Sequence, residues 1–222
     1  MPISGYLAAL LLAVVPPSPA ALRPALVSTT DLDAARQAPA KAFHILDGQY
    51  LGGQAGPGVG PCGRPMSFFS PAPEQTAFRG WSDHPGLPYS KTGAILLVQQ
   101  TVYAEPATTT MQELAALASA ARPGCAWNEA PLPGTPADRF RLVDVVALRL
   151  PAGAQGFGYI ETEQSRTARV YVGSVTVRLL DCVSHVNVDS PERITDPFVQ
   201  DVAAAMARRL PAVGASCRTS SP

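Results

Sequence analysis

The stretch "ARVYVGSVTVRLLDC", residues 168–182, decides the fold class of this 222-residue chain. Apolar and polar residues alternate along it, with the period of a β-strand that has one buried face. The alternation changes phase at Gly173, because the valines and the leucine after it fall in the opposite phase from the two valines before it. This change predicts either a β-bulge or a strand that is buried on both faces.

Short turns join this stretch to further strands. The segment "GFGYIETE" (156–163) is predicted to pair with it across the turn "QSRT" (164–167). The segment "FRLVDVVALRL" (140–150) is predicted as another strand, and "TGAILLVQQTVYA" (92–104) as an earlier one. Because parallel pairing needs a long crossover connection, we expect the strands joined by short turns to be antiparallel.

Two helical patterns flank these strands. In "TTTMQELAALASAA" (108–121), apolar residues recur at helical spacing, and Thr110 followed by Glu113 matches a capping box. The segment "TDPFVQDVAAAMARRL" (195–210) is predicted as a helix capped by Asp196. The sequence therefore predicts a loop-rich α+β fold, in which two or three helices pack on an antiparallel sheet.

The charge balance argues against nucleic acid as a partner. The chain has 17 basic and 17 acidic residues, so its formal net charge is zero, whereas nucleic-acid partners usually show a basic excess. Hydrophobic residues make up 46% of the chain, which is enough for one well-packed domain. No oligomeric state is predicted.

The N-terminal segment resembles an export signal. Residues 1–20, "MPISGYLAALLLAVVPPSPA", contain an apolar run and then small residues, which predicts cleavage after Ala20 or Ala21. The run is too short for a stable membrane span, and an apolar N-terminal strand or buried helix is the alternative. Residues 22–217 then form a single extracytoplasmic domain. Its first residues, 22–30, are expected to be a tail, with a short helix capped by Thr29, Thr30 or Asp31.

The four cysteines favour disulfides over a metal site. They are Cys62, Cys125, Cys182 and Cys217, and none forms a closely spaced pair of the kind that zinc sites use. After an export signal, separated cysteines indicate two disulfides, for which three connectivities exist. Pairing sequential neighbours, Cys62 with Cys125 and Cys182 with Cys217, is the simplest.

The stretch "GVGPCG" (58–63) matches the G-x-G-x-x-G pattern of dinucleotide-binding folds, and Asp83 follows about 20 residues later, as that pattern requires. The pattern also needs a strand before it and a helix after it. Prolines fill the segment that follows, and residues 48–75 as a whole are too rich in Gly and Pro for regular structure. The sequence therefore predicts no nucleotide site and no cofactor.

No catalytic or metal-binding constellation is evident among the titratable residues. The three histidines, His44, His84 and His185, are far apart in the sequence, and the adjacent residues of "SDH" (82–84) cannot form a triad. A hydrolase would have to bring Ser or Asp to one of these histidines. Acidic residues that could act as a pair are Asp144, Glu161 and Glu163, for which a solvated sheet face is the more common explanation. Arg169 and Arg178 could line an anion site, but pairing with neighbouring acids across the strands is the more common role of such residues.

The two tryptophans are expected first of all to have a structural role. Trp127 follows Cys125 closely, as expected for an indole packed on a disulfide. Trp81, Trp127 and His84 are also candidates for the lining of a cleft near the glycine-rich loop.

The second half of the chain resembles a known family. From "LRLPAGAQGFGYIETE" onward, the order is a strand, a hairpin, the strand "VTVRLLDC", a loop and a final helix that ends in "MARRL". This order is similar to that of actinobacterial extracytoplasmic sensor domains, such as the extracellular domain of the mycobacterial kinase PknH. The strand-then-helix unit at 94–117 is similar too, so the resemblance covers roughly residues 30–212. It implies a compact α+β domain with two disulfides, an antiparallel sheet and a ligand cleft, and no catalytic residues.

This resemblance predicts a secreted, non-catalytic sensor or ligand-binding domain for a small molecule or a cell-envelope component. By position, Cys62 and Cys125 match the family's first pair, whereas Cys217 replaces a cysteine that the family carries elsewhere. The alternatives are a secreted hydrolase with dispersed catalytic residues and a cell-envelope protein-interaction module. An enzyme is not expected.

Overall fold

A computed structural model describes residues 16–36, 43–46, 56–59, 61–68, 72–84, 96–129, 139–164 and 169–217. Its main feature is an eight-stranded sheet with the strand order β1-β4-β5-β10-β9-β8-β7-β6, in which all neighbours are antiparallel. The strands of this sheet are β1 (His44–Leu46), β4 (Ala77–Ser82), β5 (Leu97–Ala104), β6 (Cys125–Glu129), β7 (Arg139–Val146), β8 (Ala154–Gln164), β9 (Arg169–Leu179) and β10 (Cys182–Ser190). A separate hairpin contains β2 (Gly56–Val59) and β3 (Pro65–Phe68).

Four α-helices occur among the described residues: α1 (Pro19–Leu22), α2 (Thr29–Ala35), α3 (Ala107–Ala120) and α4 (Asp196–Arg209). The predicted α+β class, antiparallel sheet and two main helices are confirmed.

The change of phase in β9 marks a strand that is buried on both faces. The hydrogen-bonded ladders from β9 to β8 and to β10 continue without a bulge through Gly173. Residues 173–177 are all buried. Of the two predicted explanations, the second is therefore confirmed, and the opposite phases place apolar side chains on both faces of the sheet.

The prediction of a loop between "VTVRLLDC" and the last helix is wrong, because that segment is the central strand β10. Its alternating residues Cys182, Ser184, Val186 and Val188 are buried, while His185, Asn187 and Asp189 are half-buried. Six of its nine residues are small or polar, so propensity alone gives a weak strand signal. Pairing with β5 and β9 on both sides supplies the rest.

One face of the sheet, here called the helix face, carries the main core. The core residues of this face include Trp81, Val98, Val186 and Met206. Helix α4 lies close against it at Gly158, where a Cβ atom would lie 3.3 Å from Val199 Cγ1. A larger residue at position 158 would force α4 away from β8.

The prediction that residues 22–30 form a tail is wrong, because they contribute to this core. Leu22, Leu26 and Val27 are buried, and Gln100 fixes the segment. The Val27 N–H donates to Gln100 Oε1 at 2.8 Å, and Gln100 Nε2 donates to Ser184 Oγ at 2.8 Å. A buried amide thus satisfies the backbone of an irregular segment that would otherwise be left unpaired.

Each predicted helix cap lies a little away from the observed one. Ser28 caps α2 in a capping box with Asp31, and Thr195, not Asp196, caps α4. Helix α3 begins after Pro106, so the predicted capping box of Thr110 and Glu113 is wrong. Thr110 lies inside the first turn, where its hydroxyl bonds to the Glu105 carboxyl group instead.

Both predicted disulfides are confirmed. Cys182–Cys217 is fully buried on the helix face, with its cysteines 0% and 1% exposed. Cys62–Cys125 is half-buried and joins the 3-10 turn Pro61–Gly63 to β6. Cys62 anchors the glycine-rich loop near the end of α3, where the Arg122 N–H lies 3.3 Å from Cys62 Sγ.

The glycine-rich segment is more regular than predicted. Strand β2 precedes the turn Pro61–Gly63, and β3 follows it, so part of 48–75 forms a hairpin. A two-stranded ribbon tolerates proline because each strand has one free edge. No helix follows the glycines within 61–68, which is consistent with the rejection of a dinucleotide loop. Asp83 has a structural position instead: its carboxylate accepts the Leu96 N–H and pairs with Arg36 at 2.6 Å.

The hairpin turn between β9 and β10 carries a conformational strain that can be relieved. Leu180 has φ = 55° and is 65% exposed, although a leucine in the left-handed region costs about 1–2 kcal/mol. We expect Leu180→Asn to raise the free energy of unfolding by about 1 kcal/mol in urea denaturation. Met111→Gln, at another exposed apolar residue with helical backbone, is the control and should change stability by less than about 0.5 kcal/mol. An equal gain in stability in both variants would show that removal of an exposed apolar side chain, and not relief of backbone strain, is the cause.

Candidate functional site

The face of the sheet opposite the helix face is here called the polar face. It carries a band of polar side chains on four adjacent strands, β7, β8, β9 and β10. Strand alternation and register place them together. This polar row consists of Arg141 on β7, Tyr159, Glu161 and Glu163 on β8, Ser174 and Thr176 on β9, and His185, Asn187 and Asp189 on β10. Its members are buried or half-buried, whereas a simple solvated face would be exposed.

Arg141 holds two carboxylates at one end of the polar row. Its Nη1 lies 3.0 Å from Glu161 Oε2, and its Nη2 lies 3.3 Å from Glu163 Oε2. Glu161 is buried, so the ion pair compensates the cost of removing that carboxylate from water. The predicted acidic residues Glu161 and Glu163 therefore both bind the guanidinium group of Arg141. The charge of Arg141 is thus already neutralised by groups of the protein.

The middle of the polar row consists of neutral hydrogen-bonding groups. Burial, followed by the Glu161 charge, raises the pKa of Tyr159 to about 12, so its phenol stays neutral and bonds with Ser174. His185 Nδ1 lies 2.9 Å from Thr176 Oγ1. Burial lowers the pKa of His185 to about 4, against a smaller opposite effect of its bond with Asn187.

Asp189 on β10 adds a third carboxyl group to the polar row, in register with Val172 and Glu161. Burial, followed by the Glu163 charge, raises the pKa of Asp189. Three carboxyl groups and one guanidinium therefore belong to the polar row, and its histidine is neutral at pH 7. Such a surface offers many hydrogen-bond donors and acceptors but repels anions.

Helix α3 crosses the polar face. It contacts β8 and the turn Pro61–Gly63, while α4 lies against the opposite face. Of its 14 residues only Thr110, Leu114 and Ala120 are buried, compared with seven in α4. Little hydrophobic burial holds α3, so its position depends on its two ends.

The N-terminal end of α3 is attached to the β9–β10 hairpin. Asp181 Oδ1 accepts the Ala107 N–H at 3.2 Å, and its carbonyl oxygen accepts the Glu105 N–H at 2.9 Å. Arg178 Nη1 donates to the Ala107 carbonyl oxygen at 3.2 Å. Near the C-terminal end, the Arg122 N–H approaches Cys62 Sγ, and the Gly124 N–H donates to the Val143 carbonyl oxygen at 2.8 Å.

A buried carboxyl group lies at the first of these attachments. Glu105 is 1% exposed, and among the described residues its Oε1 has no hydrogen-bond partner. Burial raises the pKa of Glu105 to about 7; the bond to Thr110 acts against this rise, and the Glu113 charge adds to it. The group therefore titrates near neutral pH at the N-terminal attachment of α3.

This titration makes stability depend on pH. A carboxyl group with a pKa of about 7 in the folded state and 4.5 when unfolded gives stability that is fully present below pH 4.5 and is lost as pH rises through 7. We expect Glu105→Gln to be more stable than the wild type at pH 8 by up to about 3 kcal/mol, and nearly equal to it at pH 4.5. Urea denaturation across this range measures the difference.

The exposed Glu74→Gln is the matched control and should follow the wild type at every pH. His185 changes stability in the opposite direction, because its lowered pKa removes stability as pH falls from 6.5 through 4. That effect is common to all three proteins and cancels in the comparison. Parallel curves for Glu105→Gln and the wild type would contradict a titrating Glu105.

The structure does not bring the three predicted cleft residues together. Trp81 is fully buried in the core of the helix face, and His84 is exposed after β4. Trp127 lies in β6, and five strands separate β4 from β6 in the sheet. The polar row was missed because three of its nine residues lie on the unrecognised strand β10.

The other acidic, basic and histidine candidates also have partners different from those predicted. Asp144 lies exposed in the opposite phase from Glu161 and Glu163. Arg169 donates to Gln164, and Arg178 to a backbone carbonyl, so the bonds described for them go to neutral groups and not to acids. The His185 side chain contacts Thr176 and Asn187, and no contact of a His side chain with Ser or Asp occurs among the bonds of the described residues.

Within the described parts of the chain, no group of three or more His, Cys, Asp or Glu residues is placed to hold a metal ion. No helix in those parts is long and apolar enough to cross a membrane.

Comparison with solved structures identifies the fold. The extracellular domain of PknH from Mycobacterium tuberculosis is similar, with a TM-score of 0.52 and 15% sequence identity over 89% of this chain and 98% of that one. An uncharacterised protein from Mycobacterium smegmatis matches with a TM-score of 0.37 and 14% identity over 84% of this chain and 97% of that one. No family model and no curated protein sequence matches. The chain thus has the fold of the PknH extracellular domain, which confirms the predicted resemblance.

Proposed function

We propose that this chain is a non-catalytic, extracytoplasmic domain that binds a small polar molecule on the polar row. The observation that carries the proposal is the half-buried, internally hydrogen-bonded polar row itself, which lies beside the weakly embedded helix α3. Binding sites combine such convergent polar groups with partial burial. Fold similarity to an extracellular domain supports the same class of function.

The charges of the polar row favour a ligand without negative charge. Arg141 is already bound to Glu161 and Glu163, and Asp189 adds a further acid. The neutral groups Tyr159, Ser174 and Asn187 can exchange hydrogen bonds with hydroxyl groups. The ligand class that fits is therefore an uncharged, polyhydroxylated molecule such as a sugar or a polyol.

A thermal-shift series tests this function. We expect one or more sugars or polyols from a panel to raise Tm of the purified protein, while phosphate and succinate do not. Asn187→Ala should abolish the shift, and the control Gln155→Ala, at an exposed position on the same face, should keep it. A panel without any shift, or an equal shift in both variants, would contradict the proposal.

The extracytoplasmic location is supported by the two disulfides, which persist in oxidising compartments. Export is proposed to use the apolar segment before residue 16, with cleavage after Ala20. Cleavage after Ala21 would place a charged amino group on Leu22, which is fully buried. N-terminal sequencing of exported protein should give Ala21 as the first residue, and an N-terminus at Met1 would overturn this proposal.

A further inference from the structure

We propose that Cys62–Cys125 is a site of thiol–disulfide exchange with a dithiol reductant, and that its reduction loosens the packing of α3 on the polar face. The inference rests on contrasts between the two disulfides and on the way α3 is held. It does not depend on the identity, or the existence, of a ligand.

The first contrast is accessibility. Cys62 and Cys125 are half-buried, and the residues around them in sequence, including Gly63, Arg64 and Gly124, are exposed. Cys182 and Cys217 lie in the core of the helix face at 0% and 1% exposure. An attacking thiolate must reach a disulfide sulfur, so a reductant can approach the first bond in the folded protein and not the second.

The second contrast is backbone conformation. Cys62 has φ = 59°, in the left-handed region that a residue with a side chain occupies at a cost. The described residues of the Cys182–Cys217 bridge show no such conformation. Breaking the first bond frees Cys62 to relax, which favours its reduced form.

The third observation concerns the leaving group. The Arg122 N–H lies 3.3 Å from Cys62 Sγ and would stabilise a thiolate there. Arg64, two residues from Cys62, adds a positive charge in the same segment. Positive neighbours and backbone donors lower thiol pKa values, and a thiol of lower pKa leaves faster. Cys62 is therefore the sulfur that leaves, and Cys125 the sulfur that is attacked.

The exchange proceeds in two balanced steps. One thiolate of the dithiol attacks Cys125 Sγ, a mixed disulfide forms, and the electron pair of the broken S–S bond passes to Cys62 Sγ. The second thiol of the reductant, as its thiolate, then attacks the reductant's own sulfur in the mixed disulfide and releases the Cys125 thiolate. Two electrons pass to the protein, the reductant becomes a disulfide, and both cysteines take up protons.

The consequence follows from the weak embedding of α3. The turn Pro61–Gly63 contacts α3, β6 and β7, and the disulfide fixes that turn to β6. Because α3 buries only three side chains, loss of this attachment loosens its packing. The Gly124 N–H still donates to the Val143 carbonyl oxygen at 2.8 Å, and Asp181 still holds the N-terminal end of the helix. The reduced protein therefore exposes more of the polar face.

The test uses the full folded chain without denaturant. Dithiothreitol is added, the reaction is quenched with an alkylating reagent at intervals, and mass spectrometry counts labelled cysteines. We expect Cys62 and Cys125 to be labelled at least about 100-fold faster than Cys182 and Cys217. Hydrogen exchange should then show faster exchange in α3 and unchanged protection in α4.

Two variants sharpen the test. Arg64→Glu should slow the reduction several-fold at low salt, whereas Arg193→Glu, at an exposed arginine elsewhere, should not. Cys62→Ser/Cys125→Ser should reproduce the α3 exchange pattern without reductant. The proposal is overturned if the two disulfides are reduced at similar rates, if neither is reduced while the protein is folded, or if α3 keeps its protection after reduction.

Discussion

Replacing Cys182 and Cys217 together by alanine is expected to lower the free energy of unfolding by about 4–6 kcal/mol. Chain entropy for a closed loop of this length contributes about 4 kcal/mol, and the loss of two fully buried sulfurs adds the cost of cavities. The total free energy of unfolding of a single domain is only about 5–15 kcal/mol, so this variant is expected to be barely stable enough to fold. Urea denaturation of the purified variant measures the loss.

The control is Cys62→Ala/Cys125→Ala. The disulfide removed in this variant closes the longer loop, with a sequence separation of 63 against 35. Chain entropy alone would therefore make this variant lose more free energy of unfolding than the other. We expect a smaller loss, about 2–3 kcal/mol, because the bond is half-buried and Cys62 relaxes from its left-handed conformation. The reverse order of the two losses would show that loop length outweighs burial in this fold.

Gln100→Leu is expected to cost about 3–5 kcal/mol although it replaces a polar residue by an apolar one in the core. The Val27 N–H and the Ser184 hydroxyl group would lose their partner, and so would the Ala25 carbonyl oxygen, which lies 3.4 Å from Gln100 Nε2. Each buried group left without a hydrogen bond costs about 1–3 kcal/mol, and the sum exceeds the stabilisation gained from the added apolar surface. The loss is measured by urea denaturation.

Gln99→Leu provides the matched control, since Gln99 is the adjacent residue on the same strand and is half-buried on the polar face. Its effect should stay below about 1 kcal/mol. If Gln100→Leu proved as mild as Gln99→Leu, the buried amide would not be what fixes the N-terminal segment.

Much of the sheet could be predicted because its strands carry their own pattern. In β9 the alternation indicated a strand, its change of phase indicated either a β-bulge or burial on both faces, and the antiparallel order followed from short turns. Strand β10 could not be predicted in the same way, because Cys182, Ser184, His185 and Asn187 have little intrinsic preference for a strand. Its conformation is imposed by the neighbours on either side.

The N-terminal segment and the site were hidden for a different reason. Leu22 to Val27 has no regular period, and only contact with the distant Gln100 makes it part of the core. The polar row likewise draws its residues from four strands, and Arg141 and His185 are far apart in sequence. Such groupings depend on register, which one residue of slippage would destroy.

The contacts between the two ends of the folded chain determine how late folding can finish. Asp31 in α2 binds Arg209 at the end of α4, and the residues around Ala25 pack against the segment that follows α4. Almost the whole chain must therefore emerge from the ribosome or the export channel before the N-terminal segment has anything to pack on. Contacts of such long range predict slow folding, and a chain truncated before α4 would leave Leu22, Leu26 and Val27 exposed to aggregation.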